Sequence, residues 1–166
     1  MSTRPEPEPV GPGQESVWDY PRPPRLEPFS GTITIELGGE EIARTAHGWR
    51  VLETSHPPTY YLPPDAFAEG VLRPAAGSSW CEWKGQARYF DLVTAAATAA
   101  KAAWSYPDPT PGFMPIRDAV AVMAGLVDRC TVDGETVTPQ PGGFYGGWIT
   151  GRVVGPFKGG PGSAGW

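Results

Sequence analysis

From Gly31 onward, apolar and polar residues alternate in short runs cut by glycine and proline, a rhythm of half-buried strands. Thr32-Ile33-Thr34-Ile35-Glu36-Leu37, Gly38-Gly39 and Glu40-Glu41-Ile42-Ala43 predict a hairpin, because its two-residue turn needs positive φ that glycine supplies freely. Arg44 to His47 turn into Gly48, and Trp49 to Ser55 form the next strand. A double proline, Pro57-Pro58, then makes a rigid corner before a short strand over Thr59 to Leu62. Pro64 to Gly70 predicts one helical turn, proline first and glycine last. Ser79 to Lys84 and Gln86 to Phe90 read as two strands around Gly85. Leu126 to Val132, Asp133-Gly134 and Glu135 to Val137 predict a second hairpin.

Two segments are ambiguous on pattern alone. Leu92 to Trp104 is rich in alanine, which favours helix, yet has no polar side. Ile116 to Leu126 tempts the same reading. Residues 1–16 lack periodicity and are expected to be a flexible tail, followed by a docked strap carrying Trp18 and Tyr20. The body covers 17–138. Residues 139–166 form an arm in which glycine and proline make up half the positions but Phe144, Tyr145, Trp148, Phe157 and Trp166 recur, so it is expected to be anchored by rings.

Composition changes this picture in a few places. Glycine and proline number 43 of 166 residues, a share that suggests disorder, but 19 aromatic residues argue for a folded, turn-rich body. Net charge is -5 and no basic run occurs, which argues against a nucleic-acid partner. No apolar run is long enough for a membrane helix, and the N-terminus has no secretory pattern. Cys81 and Cys130 stand apart, as reduced thiols in a cytoplasmic protein would.

Candidate chemistry concentrates around the corner Arg50 to Pro64, which carries Arg50, Glu53, His56, Tyr60 and Tyr61. It is either the wall of a pocket or a well-specified turn in a β core. Strand parity groups Val51, Glu53 and Ser55 away from Arg50 and Leu52. In Trp80-Cys81-Glu82-Trp83-Lys84, the same rule puts Trp80, Glu82 and Lys84 on one face and Cys81 and Trp83 on the other. Glu82 and Lys84 are then either a joint site or a solvated pair beside core rings. Cys81 is either a nucleophile served by His56 or a small buried hydrophobe. Zinc is poorly supported by two isolated cysteines and two histidines, while Glu53, His56 and Glu82 offer a carboxylate-based metal alternative. Gly155 to Gly162 looks superficially like a phosphate loop, but no Ser or Thr follows Lys158 and no helix opens there.

Four separated stretches carry a family resemblance: Arg50-Val51-Leu52-Glu53-Thr54-Ser55 with Pro57 to Pro63, Cys81-Glu82-Trp83-Lys84-Gly85 with Ala87 and Tyr89, Ala103-Trp104-Ser105-Tyr106-Pro107, and Val132-Asp133-Gly134-Glu135. Together they resemble the domain of unknown function family 427 over roughly residues 17–138, and the ending resembles an extension of some members. The resemblance implies a mainly β, single compact antiparallel domain of Mss4-like or β-tent topology with at most short helices. It therefore favours strands at 92–104 and 116–126. Zinc is not carried across, because the paired CxxC knuckles of that group are missing. A nucleotidyltransferase-type label raises a nucleotide hypothesis without assigning roles.

The resulting expectation is a small-ligand pocket between the 50–62 corner and the 80–90 strands. Glu53, Glu82 and Lys84 are the catalytic candidates, and Arg50, His56, Tyr60, Tyr61, Cys81 and Trp83 the ligand-binding ones. The ligand is a small anion, in the narrowest form a nucleotide or phosphorylated metabolite; no cofactor is assigned and enzymatic activity stays open. The alternative is a non-catalytic interaction module, such as a homodimer formed through the aromatic arm.

Overall fold

The structure, a computed structural model, describes residues 4–166. Both predicted hairpins form. Strand β3 (Ile33–Leu37) returns as β4 (Glu40–Thr45) through Gly38 and Gly39, both at positive φ, and β11 (Arg129–Val132) returns as β12 (Glu135–Thr136) through Asp133-Gly134, also both positive. They share one sheet of order β12-β11-β3-β4, in which β3 and β11 pair antiparallel. Isoleucines 33 and 35 alternate inward from its face, with Cys130 and Val132 beside them.

A second antiparallel sheet joins β2 (Arg25–Phe29), β5 (Gly48–Leu52) and β6 (Thr59–Tyr61). A third has the order β10-β9-β8-β7, from β7 (Leu72–Cys81), β8 (Gly85–Val93), β9 (Thr98–Ser105) and β10 (Val120–Val122). Leu62 and Val120 exchange two backbone hydrogen bonds of 2.8 and 2.7 Å, which link the second sheet to the third at β6 and β10. One face of this joined surface presents Tyr60, Leu62, Val120, Val122, Ala103 and Leu92 to the hairpin sheet and makes the main core. The opposite face presents Val51, Tyr61, Ala87 and Ala121 to a second apolar cluster.

Helix is confined to four short 3-10 segments among the described residues, so the domain is predominantly antiparallel β. Pro64–Ala66 is the predicted turn. The alanine-rich stretch is strand, as the resemblance implied: Ala102 and Ala103 are fully buried between layers, and small side chains let the layers approach there. Tertiary burial overrides the helical propensity of alanine.

The ends differ from expectation. Residues 8–16 are held, with Glu8 N–H on Gly155 O at 2.8 Å and β1 (Glu15–Ser16) running parallel to β15 (Val153–Val154). A flexible tail over 1–16 is thus corrected for this part, because the arm offers it backbone partners; residues 1–3 lie outside the described residues. The strap docks as expected: Trp18 and Tyr20 are buried, and the Trp18 indole donates to Pro156 O at 2.9 Å. The arm docks on its own chain through β13 (Thr138–Pro139) and β14 (Trp148–Ile149), with Trp148 buried, stacked on Tyr60 at 5.2 Å and donating to Val122 O at 2.9 Å. No helix of the described residues is long and apolar enough to cross a membrane.

Candidate functional site

A cavity of about 620 Å³ opens on the second face of the joined sheets. Such a volume falls in the range of small-molecule sites. Its floor follows from register. Tyr89, Trp104 and Ala121 are cross-strand partners on β8, β9 and β10, and Ser79 pairs with Ala87 on β7 and β8, so these side chains share one face. Val51 and Thr59 pair across β5 and β6 and turn the same way, with Tyr61 two residues on. The arm closes the remaining side with Gln140, Gly143 to Gly146 and Lys158.

The arm lies flush because two of its residues have no side chain. A Cβ on Gly146 would sit 2.1 Å from the Trp104 ring, and one on Gly147 would sit 2.5 Å from Pro57 O. Gln140 then stitches arm to corner. Its Oε1 accepts from Gly147 N–H at 3.0 Å and its Nε2 donates to Lys158 O at 2.9 Å, which fixes the amide orientation, since a backbone N–H only donates and a carbonyl only accepts. The other Nε2 proton therefore goes to His56 Nδ1 at 3.0 Å. Neutral His56 carries its own proton on Nε2, which faces Glu53 Oε2 at 3.6 Å. Burial, reinforced by the charges of Lys158, Arg22 and Lys84, pushes the His56 pKa down to about 4.

The expected residues divide into two groups. Glu53, His56, Tyr61, Cys81 and Lys84 line the cavity. Glu53 is oriented by Arg22 Nε at 3.3 Å. Burial holds the Tyr61 and Tyr106 hydroxyls well above the ordinary tyrosine range, so they serve as neutral donors and not as bases. Cys81 lines the wall half-buried, yet both nitrogens of His56 are committed, Nδ1 to Gln140 and Nε2–H toward Glu53, so the Cys81–His56 nucleophile pairing is not assembled.

Arg50, Tyr60, Glu82 and Trp83 fall elsewhere. Arg50 pairs with Tyr60 across β5 and β6 and both turn to the core side, away from the cavity. There the Arg50 guanidinium is occupied by Glu27, at 2.9 Å from Nε, and by Glu15, at 2.8 Å from Nη1. Tyr60 is buried against Trp148 and Phe29. The expected face shared by Trp80, Glu82 and Lys84 does not exist, because β7 ends at Cys81 and residues 82–84 are the hairpin turn. Gly85, at φ 102°, closes that turn, and Thr110 fastens it by donating its hydroxyl to Trp83 O at 2.6 Å and its N–H to Lys84 O at 3.2 Å. The turn sends Lys84 into the cavity, its ammonium 5.6 Å from the Tyr106 ring centre, leaves Glu82 exposed outside it and packs Trp83 on the second core cluster. Glu82 is thus not brought to Glu53 and His56, and no group of three His, Cys, Asp or Glu able to hold a metal occurs among the described residues.

Sequence reasoning missed Lys101, Lys158, Trp104, Tyr106, Gln140 and Tyr145, all of which line the same space. One signal was available: the chain has only three lysines, at 84, 101 and 158, against ten arginines. All three lysines line the cavity and none of the arginines does. Among the described residues, every salt bridge to an Asp or Glu uses an arginine or His56, so the three ammonium groups have no Asp or Glu partner. Lys158 instead lies 5.6 Å from the Tyr145 ring centre and donates to Trp166 O at 3.2 Å.

Comparison with curated proteins returns no match. A family model described as domain of unknown function (DUF427) matches residues 25–133, a narrower span than the expected 17–138 that leaves the arm with Gln140, Tyr145 and Lys158 outside it. The match covers well over half of the chain, and the chain belongs to this family.

Proposed function

We propose that the cavity binds a small anionic metabolite, with a phosphorylated compound as the leading class. The observation that carries this is the gathering of Lys84, Lys101 and Lys158, none paired with an Asp or Glu side chain, around one cavity of a chain whose net charge is -5. Glu53 is the only carboxylate on the lining. The Tyr106 and Tyr145 rings orient the Lys84 and Lys158 ammonium groups, through cation–π contacts that leave room for an anion on the other side. The hydroxyls of Tyr61 and Tyr106 add neutral donors suited to oxyanions. In this reading Lys84 orients or polarises the ligand and Glu53 accepts a proton or hydrogen bond. Arg50, Tyr60, Glu82 and Trp83 take no part.

The test is calorimetric titration of the full chain with inorganic phosphate, pyrophosphate and common nucleotides, with and without magnesium. Binding that weakens as salt is raised, and weakens further in Lys84→Ala and Lys158→Ala, supports the reading. No heat with any of these at about 10 mM ligand, a Kd range worth less than about 3 kcal/mol, removes it.

The folding of antiparallel sheets over one core supports an Mss4-like, β-tent-type topology without zinc knuckles. Two unpaired cysteines support a reducing compartment such as the cytoplasm.

A further inference from the structure

Among the described residues five large apolar side chains are prominently exposed, and three of them, Trp80 at 73%, Phe144 at 81% and Leu126 at 52%, line the larger cavity. Single exposed hydrophobes are ordinary on a protein surface, but a cluster around a charged cavity is not. The cluster has three independent origins: the end of β7, the 3-10 segment Ala124–Leu126, and the arm. The apolar wall continues into a second cavity of about 180 Å³, where Met123 and Leu126 are joined by Ala124, Pro139 and Tyr145. The charged groups adjoin this wall: Lys158 lies 5.6 Å from the Tyr145 ring centre, on which Phe144 packs edge-on at 4.9 Å, and Lys84 lies 5.6 Å from the Tyr106 ring centre.

We infer that the ligand is amphipathic, a compact anionic group carried on a flat apolar body, with the anion at Lys84 and Lys158 and the body on Trp80, Leu126 and Phe144. The inference rests on the anion-binding reading above and adds the chemistry of the other half of the molecule. Charge complementarity selects a small anion over a neutral apolar compound. Two rings and a leucine at the mouth select a flat or hydrocarbon body over a sugar, since aromatic faces gain from stacking and from removing their own surface from water. A phosphate and a carboxylate would satisfy the same lysines, and the head group is distinguished by comparing the two.

The probes are naphthyl phosphate, naphthoate, naphthol and inorganic phosphate, titrated by calorimetry into the full chain. Naphthyl phosphate or naphthoate should bind about tenfold or more tighter than either phosphate or naphthol, because both halves of the site are then filled. Trp80→Ala and Phe144→Ala remove exposed rings and leave the core intact. Each should weaken the naphthyl anions by about tenfold and leave inorganic phosphate unchanged. If phosphate binds and the naphthyl anions bind no tighter, this inference fails while the anion-binding reading stands. If naphthol binds as tightly as its phosphate, both fail, and they also fail together if nothing binds. If either ring substitution converts a sedimenting dimer to a monomer and leaves naphthyl affinity unchanged, the rim is a contact between copies and the inference is overturned.

Discussion

Lowering the pH should loosen the arm through His56, by an amount that follows from its surroundings. In the unfolded chain the imidazole takes up a proton near its ordinary value of 6.5; in the folded chain it resists until about 4. Between these values the unfolded state holds more protons. Stability from this group is therefore complete above about pH 6.5 and is lost as the pH falls toward about 4. The full difference is worth about 3 kcal/mol, and moving from about pH 7.5 to about pH 5 should cost about 2 kcal/mol. That is a large part of the roughly 5–15 kcal/mol that holds an ordinary domain together. The cause is local: protonation of Nδ1 would require the Gln140 amide to turn over, breaking its bonds to Gly147 N–H and Lys158 O, in a pocket already facing Lys158 and Lys84. Urea unfolding of the native chain and His56→Gln across this range isolates the effect, because carboxylates titrate in both. The variant should lose about 2 kcal/mol less than the native chain between the two pH values. His47→Gln is the control, since His47 is exposed. Parallel pH profiles for the native chain and His56→Gln would refute the reasoning.

Other perturbations test different parts of the structure. Trp148→Ala removes the arm's buried anchor and leaves Val122 O without its donor, so it should cost about 3–5 kcal/mol in urea unfolding; a loss under about 1 kcal/mol would show that the arm is not held there. Arg50→Met takes the cation from Glu15 and Glu27 and should cost about 2–3 kcal/mol, less than a fully buried pair because both carboxylates reach solvent. Its anion affinity should equal that of the native chain, and a lost affinity would return Arg50 to the site. Iodoacetamide should label Cys81 and spare Cys130, which is buried with its thiol pushed up to about 12; mass spectrometry of the folded chain reads the result, and equal labelling would contradict the burial of Cys130.

What the sequence made legible was what is local. Gly38-Gly39 and Asp133-Gly134 specify turns through their own φ angles, so both hairpins could be read without the rest of the chain. Glu53, His56, Tyr61, Cys81 and Lys84, which line the cavity, stood out in the sequence because the corner and the Cys81–Gly85 stretch each put several polar groups close together. Arg50 was misplaced although parity had already separated it from Glu53; nothing local says which face of β5 meets the core, and Glu15 and Glu27 lie 35 and 23 residues away. Glu82 was misplaced because the hairpin closes at Cys81 and Gly85, and alternation has no meaning inside a turn. Gln140, Tyr145 and Lys158 were invisible as site residues because Gly-rich composition reads as a connector. Only the absence of Cβ atoms at 146 and 147, seen against Trp104 and Pro57, explains why those glycines are required.

The parallel pairing of Glu15 with Val153 and the seating of Lys158 N–H on Ser55 O have a consequence for the order of events during synthesis. Domains generally fold from the N-terminal side as the chain emerges. The residues matched by the family model can emerge and begin to pair while the cavity still lacks one wall. Until the arm has been made, Trp104 is uncovered by Gly146 and Tyr60 by Trp148, and until residue 158 follows, His56 lacks the Gln140–Lys158 bracket and the third lysine is missing. A nascent chain stalled before that point would present Trp104 and Tyr60 to chaperones and would not retain an anion. Ligand capture by ribosome-bound chains of increasing length should therefore switch on only after the arm has cleared the exit tunnel.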